Sequence, residues 1–401
     1  METRLRRIGR LRKDDEDLAK EAMRLGVLKP ADPGEDRAPL VPADAKKLVR
    51  LGAELVVEEG CGLAAGIADA EYGEAGAVVS GDRGAILAGS DMVLRLAKPS
   101  LEEVAALKPG AIHISYLDPF NEPALIDALA SRGVSAISME MIPRSTRAQK
   151  MDALSSQGSL AGYVMVLKAA VAAPTILPMM MTPAGTIKPA TVFVIGAGVA
   201  GLQAIATAKR LGARVVAFDT RAETAEQVAS LGGKFLEIDL GETGSTDDGY
   251  AVQLSAEQLE LQKQGQARQI AQSDIVITTA QVFGRKPPVL VTAGMVASMR
   301  PGSVIVDMAA ETGGNVEGSV AGATVKVGGV TIIGDGNWAN CVARDASQMY
   351  SANLANLVAE FWDEEAKTFV LDLEDEILKG CVVTHGGAIV NATIMKLRGQ
   401  E

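Results

Sequence analysis

A strand, a glycine-rich turn, a helix and a second strand closing on an acid follow one another in mid-chain. They read Thr191-Val-Phe-Val-Ile-Gly-Ala-Gly-Val-Ala-Gly201, then 202–212, then Ala213-Arg-Val-Val-Ala-Phe-Asp219. Few folds accommodate this order. Gly196 permits a tight turn out of the strand, Gly198 lets backbone approach a pyrophosphate, and Gly201 allows helix to pack closely on strand. The N–H groups that open the helix have no acceptor within it and face an anion. Gly196, Gly198, Val199, Ala200 and Gly201 are therefore the expected phosphate turn of a dinucleotide site.

Asp219 stands where an acid accepts hydrogen bonds from adenosine ribose hydroxyls, with Thr220 and Arg221 beside it. A carboxylate repels a 2′-phosphate, so NAD(H) is favoured over NADP(H). Arg221 argues the other way, but the acid occupies the ribose position itself.

At 401 residues the chain exceeds one ordinary core, and two domains are expected. The net charge of −11 argues against a nucleic-acid partner. Cys61, Cys341 and Cys381 are too scattered to form a metal-ligand motif, and His113 and His385 are the only histidines, so no metal site is expected. Two histidines also leave few candidates for proton transfer. Residues 1–22 are basic and then acidic, lack an apolar core and read as an extension. The apolar stretch 161–181 contains Lys168, Pro174 and Pro178 and reads as a buried helix and loop, which makes the chain soluble.

Short apolar runs alternate with helical patterns on both sides of the glycine turn. Strands are expected at 24–28, 54–58, 92–96, 111–116 and 136–141, with helices such as 43–51 and 122–132 between them. A second set is expected at 191–195, 214–218, 234–238, 274–278, 303–307 and 330–333. The alternation implies parallel, helix-covered sheets. Long helices at 151–173 and 344–362 flank the second set, and strand-like pieces at 369–373 and 388–390 return to the first. The expected fold is α/β, with two Rossmann-like doubly wound parallel-sheet domains joined by two long helices and an interdomain cleft. Its divisions are an extension at 1–22, a first domain at 23–155 and 350–401, and a dinucleotide domain at 156–349. Residues 174–189 read as a proline-punctuated link, and 241–250 as a mobile, polar surface loop.

A second constellation precedes the first long helix. The stretch Pro143-Arg-Ser-Thr-Arg-Ala-Gln-Lys-Met-Asp-Ala-Leu-Ser-Ser-Gln157 gathers Arg144, Arg147, Gln149, Asp152 and Ser155. Two readings stand side by side: polar groups that hold a nicotinamide, or a capped helix start on a solvated face.

Here the chain resembles a family: the soluble NAD(H)-binding alpha component of proton-translocating NAD(P) transhydrogenase, related to alanine dehydrogenase. The resemblance runs from about Met23 to Leu397. It rests on 143–163, Met179-Met-Met-Thr-Pro-Ala-Gly-Thr186, 199–212, Ser230-Leu-Gly-Gly-Lys-Phe235, and 299–307 with Glu311 and Gly313-Gly-Asn315. It implies that Arg144, Gln149 and Asp152, with Ser155 close by, hold the nicotinamide and its ribose. It implies that Tyr250, after Gly249, closes over bound nucleotide, and that Gln262 and Gln281 make further contacts. It implies NAD(H) on this chain, NADP(H) on a partner component, a membrane-spanning proton-conducting partner and a homodimer. The chain would be cytoplasmic, peripheral on the cytoplasmic side of the inner membrane through its partners. Hydride would pass directly between two nicotinamides without a general base. The segments Gln281-Val-Phe-Gly284 and Asp335-Gly-Asn-Trp-Ala-Asn-Cys341 depart from the family's pattern.

Alanine dehydrogenase shares the architecture, including a Gly34-Glu-Asp-Arg37 type of start. By that resemblance its essential lysine and histidine fall here at Arg95 and Asp118. Arginine stays protonated and cannot act as a base, and aspartate is a poor substitute for histidine. Amino-acid oxidation is therefore the weaker alternative. A sensor that binds NADH without exchanging hydride is the third.

Overall fold

The computed structural model describes residues 22–241, 254–281, 284 and 286–399. The chain is α/β and divides into two compact units, one ending at Ile142 and resuming at Tyr350, the other spanning Pro143–Met349. The segment 143–155, expected in the first domain, groups with the second unit. Asp152 caps the helix Ala153–Ala172, whose Ala161, Val164, Met165 and Ala169 belong to that unit's core. The expected extension at 1–22 lies outside the described residues except for its last member.

The first unit holds an eight-stranded sheet. From edge to edge it runs Ala388–Ile389, Val382–His385, Ser135–Ser138, Ile112–Ser115, Met92–Leu94, Arg24–Val27, Glu54–Glu58 and Val78–Ser80. All pairings are parallel except those made by Val382–His385. The tail thus returns as expected. Val41 N–H donates to Ser351 Oγ at 2.9 Å, and Ser351 donates to Asp44 at 2.6 Å.

The second sheet runs Lys234–Phe235, Arg214–Phe218, Thr191–Ile195, Ile275–Thr278, Val304–Asp307, Val330–Ile333 and Thr324–Val327, with only the last strand antiparallel. Its strands are apolar on both faces because helices cover both. Val192 and Val194 pack with Met165, Ala204 and Ile205. Phe193 and Ile195 face the other way, among Phe218, Ile270 and Ile305. Strand order reverses between Thr191–Ile195 and Ile275–Thr278, and ligands of doubly wound sheets bind outside the strand ends at such a reversal.

Three strands escape the sequence pattern: Val78–Ser80, Thr324–Val327 and Val382–His385. The proline-punctuated link is in part a hairpin, Met180–Thr182 against Gly185–Ile187. The helix Ala153–Ala172 buries much of the apolar stretch. Among the described residues no helix is long and apolar enough to cross a membrane.

Candidate functional site

The site is built where the second sheet reverses. Thr191–Ile195 ends at Gly196, whose φ of 99° is a left-handed value suited to glycine. A Cβ there would lie 2.5 Å from Thr279 Oγ1, and one on Gly201 only 1.9 Å from the Gly196 carbonyl oxygen. Helix and turn are therefore in contact through backbone alone. Gly198 differs: a Cβ on it would meet nothing within 4 Å. It is the N-cap of the helix Val199–Arg210, so open space lies in front of that helix's uncapped first turn. Val199 is exposed there, while Ala200 and Gly201 are buried.

Asp219 closes the adjacent strand and is 9% exposed. Its Oδ2 accepts the Ala197 N–H at 2.7 Å, which ties the end of one strand to the turn leaving its neighbour. Arg221 folds back on the same carboxylate, donating from Nε to Oδ1 and from Nη2 to Oδ2 at 2.9 Å each. These hydrogen bonds hold its guanidinium above the ordinary arginine value. Arg221 is thus committed to Asp219, and the case for it as a 2′-phosphate ligand weakens. Beyond them lies a cavity of about 360 Å³ lined by Asp219, Thr220, Glu237, Asp239 and Leu240, among others. Three acids on its wall suit a neutral group better than a phosphate.

The second constellation sits at the start of Ala153–Ala172. Asp152 is its N-cap and accepts the Ser155 N–H at 2.9 Å and the Ser155 hydroxyl at 2.5 Å. The structure thus brings Asp152 and Ser155 together. Arg144, Arg147 and Gln149 are exposed just before them, Gln149 opening the short turn Gln149–Met151. The capped helix start is real, and those three exposed side chains precede it. Gly162 seats this helix on the one that carries the glycine turn, since a Cβ would fall 2.2 Å from the Ala200 carbonyl oxygen. At 1.5 Å per residue, Ser155 lies roughly 10 Å along the axis from that contact.

Gln262 is buried on the helix Ala256–Gln272, and Gln281 is exposed just after Thr279. Gly249 and Tyr250 fall outside the described residues, as does most of the polar loop. Gly162 and Thr279 escaped the sequence reading. Thr279 donates its hydroxyl to the Gly196 carbonyl at 3.1 Å, a pairing between distant segments that leaves no local signature.

The first unit contains no such turn. Arg95 is buried and donates to Glu103 at 2.7 Å. Asp118 adopts a left-handed φ of 52° and pairs with Lys98 at 3.4 Å. Burial and the nearby Arg95 charge hold the His113 imidazole at about 3, so it is neutral at pH 7. His385 Nδ1 meets Ser135 Oγ at 2.9 Å. Among the described residues no group of His, Cys, Asp or Glu is arranged to hold a metal ion.

The profile described as alanine dehydrogenase/PNT, N-terminal domain, matches residues 26–161, and its C-terminal counterpart matches 165–392. The chain belongs to the alanine dehydrogenase/PNT family. Within the family it is 44% identical to the first of the separately encoded pieces of the NAD(P) transhydrogenase alpha subunit of Rhodospirillum rubrum, over 93% of this chain and 99% of that one. A solved transhydrogenase from Sinorhizobium meliloti superposes with a TM-score of 0.82 at 45% identity, covering 92% of this chain and all (100%) of that one. Alanine dehydrogenase of Mycobacterium tuberculosis is 30% identical, over 74% of this chain and 75% of that one. The likeness to the transhydrogenase branch is thus both closer and more complete.

Proposed function

We propose that this chain is the NAD(H)-binding component of a proton-translocating NAD(P) transhydrogenase. It binds NAD(H) in its second unit and exchanges hydride with NADP(H) on a partner component, while a membrane-spanning partner moves protons. The observation that carries the reading is the pairing of an open Gly198 turn with Asp219 at the sheet reversal.

The residues fit a dinucleotide. The uncapped helix start at Val199 suits a pyrophosphate, and the Asp219 carboxylate suits ribose hydroxyls. The dinucleotides supply the hydride chemistry; the protein supplies position and a dry site. Arg144, Gln149 and Asp152 orient the nicotinamide and its ribose, with Arg147 and Ser155 beside them, and Gly249, Tyr250, Gln262 and Gln281 complete the contacts. Such positioning contributes about 7–11 kcal/mol when reacting atoms are held in line.

The first unit supports the same choice. Amino-acid oxidation needs a proton acceptor, and Arg95 is locked to Glu103 while His113 is buried. Homodimerisation draws support from the hairpin, where Met179 is 61% and Met181 71% exposed beside an exposed Ile187. Attachment to the cytoplasmic face of a membrane would come through the partners.

Two measurements test the proposal. Gln149→Asn should slow hydride transfer to a partner-bound nicotinamide far more than it weakens NADH binding; equal losses would remove its orienting role. Alanine with NAD and no partner should give no NADH, and turnover there would favour the dehydrogenase.

A further inference from the structure

The loop that leaves Ile275–Thr278 passes the glycine turn, and a single residue from a distant segment ties it down at two points. Asn315 is fully buried. Its side-chain amide donates to the Ala280 carbonyl at 3.0 Å and to the Pro288 carbonyl at 2.8 Å. Its backbone carbonyl accepts the Leu290 and Val291 N–H groups at 2.8 and 3.0 Å. Its own N–H lies 3.1 Å from each Asp307 carboxylate oxygen. Asp307, also fully buried, further accepts the Ala309 N–H at 3.1 Å, the Val316 N–H at 3.3 Å and the Thr278 hydroxyl at 3.3 Å. Gly314, at a φ of 76°, lets the backbone wrap this carboxylate, since a Cβ would lie 2.9 Å from Asp307 Oδ2.

Gln281 follows Ala280 directly, and its N–H donates to the Thr279 carbonyl at 2.9 Å. Thr279 in turn donates to the Gly196 carbonyl. Gln281 is therefore held between the amide clamp on Ala280 and the hydroxyl lock on the glycine turn. Asn315 Oδ1 is buried without a hydrogen-bond partner among the described residues. An unsatisfied acceptor costs about 1–3 kcal/mol. An asparagine that bears this cost is explained by its two N–H bonds, which an apolar side chain cannot make.

We propose that Asn315 is a positioning residue for the nucleotide: through the Ala280 carbonyl it holds Gln281 beside the glycine turn. The inference rests on the proposed dinucleotide role of that turn. An aspartate at 315 would present an oxygen to both carbonyls and release the loop; a serine leaves space for water and is the milder variant.

The test is a double-mutant cycle read by NADH fluorescence titration and thermal melting on the full chain. Asn315→Asp and Gln281→Ala should each weaken NADH binding by about tenfold, the size of one lost hydrogen bond. The double variant should bind no more weakly than either single one, whereas the melting-temperature loss from Asn315→Asp should be the same with or without Gln281. If Asn315→Asp does not fold, Asn315→Ser replaces it with the same pattern expected. Additive affinity losses, or a lower melting temperature with unchanged NADH affinity, would overturn the positioning role while leaving the dinucleotide site intact. A wild-type chain that does not bind NADH would overturn the functional reading itself.

Discussion

Both units solve the same problem at their sheet reversals, and only one of them makes a nucleotide site. In the second, Asp219 at the end of one strand accepts the Ala197 N–H from the turn leaving its neighbour. In the first, Glu58 at the end of Glu54–Glu58 accepts the Lys29 N–H from the turn after Arg24–Val27, at 2.9 Å. Each acid is also paired with an arginine: Asp219 with Arg221 at 2.9 Å, and Glu58 with Arg83 at 2.5 Å. The turns themselves differ. The second contains Gly196, Gly198 and Gly201 and runs straight into a helix, whereas the first reads Leu28-Lys29-Pro30 and reaches its helix only at Pro42. The acid therefore has a structural task common to both units. The glycines, which leave backbone N–H groups uncovered, distinguish a phosphate site from a strand tie.

The comparison breaks most readily at Gly201. Gly201→Val places a side chain where a Cβ already falls 1.9 Å from a carbonyl oxygen, and should weaken NADH binding by more than about 100-fold (~2.7 kcal/mol) in a fluorescence titration. Retained affinity would mean that the turn is not the phosphate site.

The next effect concerns stability rather than binding. Glu103 accepts from Arg95 at 2.7 Å and from Arg83 at 2.6 Å. Glu103→Ala strands the buried Arg95 and should cost about 3–5 kcal/mol in urea unfolding, with NADH affinity unchanged in the folded protein. Burial alone would raise the Glu103 carboxyl, but the bonds and charges of Arg95 and Arg83 outweigh it and hold it at about 2. A depressed carboxylate stabilises the fold above its unfolded value of 4.5 and loses that contribution as pH falls toward about 2. The wild type should therefore lose stability across that window, and the variant should lose less of it. A variant whose acid limb parallels the wild type would show that the network adds nothing.

A smaller effect sharpens the comparison. Asp219→Ala should weaken NADH binding by about tenfold and narrow its preference over NADPH, because both a ribose contact and a repulsive charge are removed. Glu58→Gln, the matching change in the first unit, should leave NADH affinity as it was. Comparable affinity losses in the two variants would place nucleotide contacts in both units.

The glycine turn and the strand–helix alternation were legible because they are local: φ requirements and period-two or helical runs sit within a few residues. The strands Val78–Ser80, Thr324–Val327 and Val382–His385 were not, since all lie at or next to sheet edges and carry short runs with exposed or polar members. The capping of Ala153–Ala172 by Asp152 could be read from spacing; its seating through Gly162 could not, because the partner Ala200 lies far along the chain. The same holds for Thr279 on Gly196 and Asn315 on Ala280. The role of Arg221 turned on a rotamer, which sequence does not encode by itself. Tyr250 remains a reading from resemblance.

The central claim, hydride transfer from one chain's nicotinamide to another's, is tested most directly in a rapid-mixing experiment. The chain is combined with a purified NADP(H)-binding transhydrogenase component and NADPH, and an NAD analogue whose reduced form absorbs at a distinct wavelength is then added. Rapid reduction of the analogue that requires both proteins is the result predicted. Tight NADH binding by this chain with no reduction, in the presence of a matched partner, would contradict the account and leave a nucleotide sensor in its place.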